Sequence, residues 1–342
     1  MPIELSREAF REISETAKVP SYDPRVLRGG IVHFGVGNFH RAHQAVYLDD
    51  LFNLGGDRDW ALVGAGVRAA DEEMRQKLLA QDLLTTVVEQ EADVSTARVT
   101  AAMIDFLKPG DAAAIVNRLA DPAIRIVSLT ITEGGYYIDP ATQAFNPKHP
   151  DIAWDAAHFD TPKTVFGLIL AGLKRRRDIG IAPFTVMSCD NIPGNGHVAQ
   201  NAIVGLATLI YPELARWVKA NVAFPNGMVD RITPAPTDRE RKMLADDFVI
   251  EANWPARDWY SYTITLENGK TVAIAVIDHP SNPPSTWHES LNLTYLNPCV
   301  SVTKPVEVGA GKPFTLHYRA LAHDGEFPEG MLNKMAAEWR KA

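Results

Sequence analysis

What most constrains this chain is a change of pattern near Pro255. Over residues 1–255, short apolar runs of strand length alternate with stretches of helical period. The strand-like runs fall at 31–34, 60–64, 84–89, 97–102, 124–129 and 184–188, and the helical ones at 39–54, 71–80, 111–119, 164–177 and 195–218. Strands separated by helices of this length form crossover units on a largely parallel sheet, which is the doubly wound α/β class. After Pro255 the pattern turns to period two. Runs at 260–266 and 271–277 flank the hairpin-type turn Glu267-Asn268-Gly269-Lys270, and the turn-rich stretch 278–286 follows. Strand-like runs at 291–302 and 313–323 and a helix over 331–341 complete the chain. The expected organisation is an α/β domain over 1–255 and a small β-rich segment over 256–342.

Composition narrows the function. A net charge of −8 disfavours nucleic acid and anionic membranes as partners. Two cysteines, Cys189 and Cys299, make no disulfide framework and fit a reducing compartment. The first residues show no basic stretch leading into an apolar one, and the apolar run 164–173 is far shorter than the ~20 residues a bilayer span requires. A soluble, cytoplasmic protein is expected.

Gly35 and Gly37 directly follow the first strand and open a helix. A Gly-x-Gly turn there lets backbone approach a pyrophosphate, which the helix N-terminus stabilises with free N–H groups. His40 replaces the third glycine of the usual fingerprint, so a plain strand-to-helix turn stays open as the alternative. Asp71, after the second strand, is the candidate acid for the ribose hydroxyls and favours NAD over NADP, although Arg68 is close by. His40 and His43 lie three apart, but no further ligands support a metal, and helix-start packing explains them. His279, His288, His317 and His323 crowd the tail with Asp278 at spacings that match no standard ligand pattern, so no metal is expected. The basic run 174–177 reads as a solvated helix end offsetting the helix dipole.

Four ordered motifs carry a family resemblance. They are Gly35-Val36-Gly37-Asn38-Phe39-His40-Arg41-Ala42-His43, Ser128 to Tyr136, Ser188-Cys189-Asp190-Asn191, and Phe224 to Pro234. Together they resemble the N-terminal part of the long-chain mannitol dehydrogenase family, over essentially residues 1–255. The resemblance implies an NAD(P)-binding Rossmann domain with Gly35, Gly37, Asn38, Phe39 and Thr132 along the cofactor and Asp71 near the adenosine ribose. It places Asn191 and Asp230 at the reacting end, with Asn191 an oxyanion-type donor. The implied reaction moves hydride between nicotinamide and a polyol, D-mannitol and D-fructose being the leading pair.

The family's base is a lysine in a Lys-x-x-x-x-Asn-x-x-His element of a helical substrate domain. None of Lys270, Lys304, Lys312, Lys334 or Lys341 has Asn five and His eight positions on. The tail instead resembles the C-terminal end of the PmoA-like family, in Val276 to Pro283, Trp287-His288, Leu296 to Val300 and Leu316 to Gly325. A chimera is the simplest account. Three outcomes stay open: a cofactor-binding module with little or no turnover, an active polyol or hexuronate oxidoreductase using a tail base such as His279 or His288, and a non-functional fusion of two truncated folds.

Overall fold

A short helix, α1 (Phe10–Ile13), precedes β1 (Gly29–Phe34), which is buried along almost its whole length. A strand covered on both faces must be apolar throughout, and this one sits at the centre of a parallel sheet. In the computed structural model the chain divides into two units, residues 1–248 and 249–342. The structure describes residues 3–90, 95–139, 144–228, 258–266, 269–288, 297–300 and 306–340.

In the first unit, β1 is followed by α2 (Asn38–Ala42), α3 (Gln44–Asn53), β2 (Ala61–Ala65) and α4 (Ala69–Leu79). The antiparallel hairpin β3 (Thr85–Gln90) and β4 (Ser95–Thr100) leads to β5 (Met103–Phe106). Then come α5 (Ala112–Leu119), β6 (Ile126–Leu129), α6 (Pro150–Ala157), α7 (Val165–Asp178) and β7 (Thr185–Ser188). Helices α8 (Asn195–Ile210) and α9 (Pro212–Asn221) follow. The five-stranded sheet runs β5-β2-β1-β6-β7, with every pairing parallel. Val32, Phe34, Val127 and Val186 pack with α5, α7 and α8 in one core, while Ile31, Ala61 and Leu62 pack with Phe52 and Leu78 in another. This is the doubly wound, Rossmann-like arrangement.

Two expected helices are broken. The 39–54 helix splits at His43, whose φ/ψ of −121°/−90° is not helical. Its ring stacks on Phe39 with centroids 4.9 Å apart and meets Tyr47 edge-on at 5.0 Å, which offsets the lost turn. The 195–218 helix splits at Tyr211, because Pro212 has no N–H to continue the ladder and displaces the preceding residue from the α region. The basic run also differs from expectation. Arg176 is buried and donates to the carbonyls of Leu119, Asp121, Ile124 and Ala182, so it ties the end of α7 to the end of α5 and to the loops that lead into β6 and β7.

The second unit contains β8 (Trp259–Thr265), β9 (Thr271–Asp278), β10 (Thr286–His288), β11 (Asn297–Cys299), β12 (Tyr318–Asp324) and helix α10 (Met331–Trp339). An antiparallel sheet runs β12-β9-β8, and β10 pairs with β11. Ala273, Ala275 and Ile277 alternate inward from β9, as the period-two pattern requires. The run expected over 313–323 becomes strand only from Tyr318. Of the run expected over 291–302, β11 is the strand; 291–296 and 301–302 lie outside the described residues.

Candidate dinucleotide crevice

The strand order reverses direction between β1 and β6, and in open α/β sheets the ligand crevice lies beyond the carboxyl ends at that switch point. Gly35 leaves β1 with φ +93°, and a Cβ there would stand 2.0 Å from the Thr130 carbonyl oxygen. Only glycine tolerates both the dihedral and the contact. The Thr130 hydroxyl donates to the Gly35 carbonyl at 2.6 Å, pinning the two strand exits together. A Cβ on Gly37 would meet only Gly35 O, at 3.8 Å, so the backbone edge there is open to an approaching group. Asn38 accepts from Arg41 at 2.6 Å, and Phe39 is half-buried against His43.

Beneath this turn lies a polar layer that sequence reasoning did not single out. His33 is buried, with Nδ1 2.8 Å from Ser128 Oγ and Nε2 2.9 Å from Thr130 Oγ1. Ser128 in turn donates to Gln44 Oε1 at 3.0 Å. Burial lowers the His33 pKa to about 3, and burial also pushes His40 well below its ordinary range. His40 therefore packs beneath the turn as a neutral ring. Among the described residues, no cluster of three His, Cys, Asp or Glu side chains is placed to hold a metal ion.

Asp71 stands at the first turn of α4, where Oδ2 accepts from the N–H groups of Val67 and Arg68, both at 2.8 Å. Its Oδ1 lies 3.8 Å from the Arg68 guanidinium. One carboxylate oxygen thus shapes the loop after β2, and the other faces the exposed Arg68 guanidinium.

On the far side of the switch point, Thr132 follows β6 with φ/ψ of +64°/167°, a region almost exclusive to glycine. Its N–H donates to Asp190 Oδ1 at 2.9 Å and its hydroxyl to the Ile131 carbonyl at 2.6 Å. Asp190 Oδ2 also accepts from Ile131 N–H at 3.0 Å and from the Tyr136 hydroxyl at 2.6 Å. Burial first, and the Asp190 charge second, raise the Tyr136 pKa, keeping the phenol protonated. The same two causes raise Cys189 to about 11, so its thiol is unreactive near neutral pH. Asn191 is exposed one residue beyond Asp190, at the carboxyl end of β7. Asp230 lies outside the described residues. Gly35, Gly37, Asn38, Phe39, Thr132 and Asn191 thus border the carboxyl end of the sheet, with Asp71 after β2.

This fold and crevice define a protein of the Rossmann class. The family model of the mannitol dehydrogenase Rossmann domain matches residues 29–270, and the chain belongs to that family. A second model, of a family of unknown function (DUF6807), matches residues 232–337. Mannitol 2-dehydrogenase of Cereibacter sphaeroides is 60% identical over 246 residues, covering 70% of this chain and 51% of that protein. The Pyricularia oryzae mannitol 2-dehydrogenase is 44% identical over 262 residues, covering 75% and 52%. Among solved structures, Pseudomonas fluorescens mannitol 2-dehydrogenase in ternary complex with NAD and D-mannitol superposes with a TM-score of 0.68 at 46% identity, covering 71% of this chain and 50% of that one. Substrate-free D-sorbitol dehydrogenase gives a TM-score of 0.66 at 43% identity, covering 70% and 50%. The chain spans about half the length of the curated relatives it matches. No helix among the described residues is long and apolar enough to cross a membrane.

Proposed function

We propose that residues 1–255 are the NAD(H)-binding domain of a polyol dehydrogenase, whose family reaction converts D-mannitol and NAD to D-fructose and NADH. The observation that carries this reading is Gly35, folded at positive φ against Thr130 at the switch point, with open backbone at Gly37. The pyrophosphate would lie along Gly35, Gly37, Asn38 and Phe39, and Asp71 Oδ1 would accept from the adenosine ribose. An acid there favours NAD over NADP. When bound, NAD supplies a hydride acceptor; this chain orients the substrate and stabilises charge. Asn191 would donate its amide to the substrate oxygen, where charge grows as hydride leaves the adjoining carbon.

The substrate is a small polyol or ketose, and turnover in this chain is weak or absent. The absence of any Lys-x-x-x-x-Asn-x-x-His element after Pro255 supports this. A missing general base lowers the rate by ~100–10,000-fold. The match of a different family model to residues 232–337 supports reading 256–342 as a segment of separate ancestry.

NADH fluorescence titration and NADH absorbance with D-fructose or D-fructuronate test both halves. Saturable NADH binding with ketose-independent absorbance is the expected result. Ketose-dependent oxidation would overturn the weak-turnover reading, and no NADH binding would overturn the cofactor reading.

A further inference from the structure

We infer that Asp190 is a positioning residue that sets the nicotinamide half of the crevice, an inference that rests on the cofactor reading above. A Rossmann sheet binds a dinucleotide across two halves, and the half opposite the ribose-binding acid is the one built from β6 and β7. There the loop after β6 carries a strained residue. Thr132 is β-branched, yet holds φ/ψ of +64°/167°, a conformation that persists only when its surroundings fix it. Asp190 does the fixing. One oxygen takes the Thr132 N–H at 2.9 Å; the other takes the Ile131 N–H at 3.0 Å and the Tyr136 hydroxyl at 2.6 Å. Three donors from the β6 exit thereby converge on one carboxylate at the β7 exit.

A second hold comes from Asn195. Its amide nitrogen donates to the Ser188 carbonyl at 3.2 Å and the Asp190 carbonyl at 3.0 Å, fixing the backbone on either side of Cys189. Asn191 is the next residue, so the carboxylate that shapes the Thr132 turn also sets where the Asn191 amide begins. The hydrogen bonds of this tie end on neither Gly35 nor Asp71; its nearest approach to the Gly35 turn is the Thr130–Ile131 peptide, whose N–H Asp190 holds and whose carbonyl faces Gly35.

The geometry therefore separates two affinities. ADP-ribose, which lacks nicotinamide, reports the Gly35 and Asp71 half, and NADH reports both halves. In Asp190→Asn one oxygen becomes an amide donor facing the backbone N–H groups, and at least one bond of the tie is lost. ADP-ribose should bind D190N within about threefold of wild type. The excess affinity for NADH over ADP-ribose should fall by about tenfold, the loss expected for one charged hydrogen bond. The double variant D190N/T132G should recover that excess, because glycine adopts the same dihedrals without strain. Such rescue would not follow from a merely structural role.

Isothermal calorimetry with NADH and ADP-ribose on wild type and both variants decides the matter. Equal fractional loss of both affinities in D190N, unchanged affinity for both, or failure of D190N/T132G to rescue would each overturn the assignment. Should D190N not fold, the double variant carries the test on the same ratio. A wild-type chain that binds neither ligand would overturn the cofactor reading itself, an outcome distinct from wild-type binding with an indifferent D190N.

Discussion

The imidazoles of His33 and His40 stack with centroids 3.5 Å apart and planes 12° from parallel, both buried under the turn that follows β1. Two cations could not share that space, so the stack requires neutral rings. The folded pKa of His33 is about 3 against an ordinary 6.5. As pH falls below about 6.5 the unfolded chain takes up the proton first, and stability rises with pH wherever it does so. The contribution is present above about pH 6.5 and is lost on the way down towards pH 3, at up to ~1.4 kcal/mol per pH unit for each ring. Thermal melts from pH 7 to pH 4 should show this decline, and His33→Gln should make it shallower, leaving the part that His40 contributes.

Gly35→Ala places a methyl group 2.0 Å from the Thr130 carbonyl at φ +93°. Dihedral strain and overpacking together should cost about 2–5 kcal/mol. Chemical denaturation should report that loss, and NADH titration a weakened site.

Asp71→Asn keeps an acceptor for the Val67 and Arg68 N–H groups but removes the negative charge. The ratio of NADPH to NADH affinity should rise by about tenfold, as Arg68 becomes free to meet a 2′-phosphate. An unchanged ratio would place the ribose elsewhere.

Thr132→Gly relieves strain of ~1–3 kcal/mol against a glycine entropy cost of ~0.5–1 kcal/mol. The single variant should melt about 2–4 °C higher than wild type. A lower melting temperature would mean that the Thr132 side chain contributes more than its backbone costs.

The doubly wound class was legible because both of its signals are local: buried strands that read apolar throughout, and helices of matching period between them. The glycine turn was legible for the same reason, since Gly35 and its neighbours are contiguous. What remained hidden depends on distance along the chain. Asp190 lies 54 residues from Tyr136 and 59 from Ile131, and only the β6–β7 pairing brings them together. The motif that drew notice to Asn191 contained Asp190 one position earlier, but nothing local marks a carboxylate that faces backbone. His33 was hidden likewise, its partners Ser128 and Thr130 lying across the sheet on β6 and just beyond it. The helix breaks had different causes. Pro212 was readable at the second, whereas the first rests on the rings around His43.

Asn195 has a consequence for how the first unit could be shortened. Its one carboxamide also donates to Gly227 O at 2.8 Å and accepts from Gly227 N–H at 3.0 Å, so a stretch without regular secondary structure after α9 is stitched to the sheet. A protease trimming inward would meet anchored chain at Gly227 before it reached the end of α9. A fragment that keeps the fold should therefore extend at least to Gly227, and in Asn195→Ala digestion should be able to pass Gly227 and reach Ala223, whose carbonyl accepts from Val186 N–H at 3.0 Å.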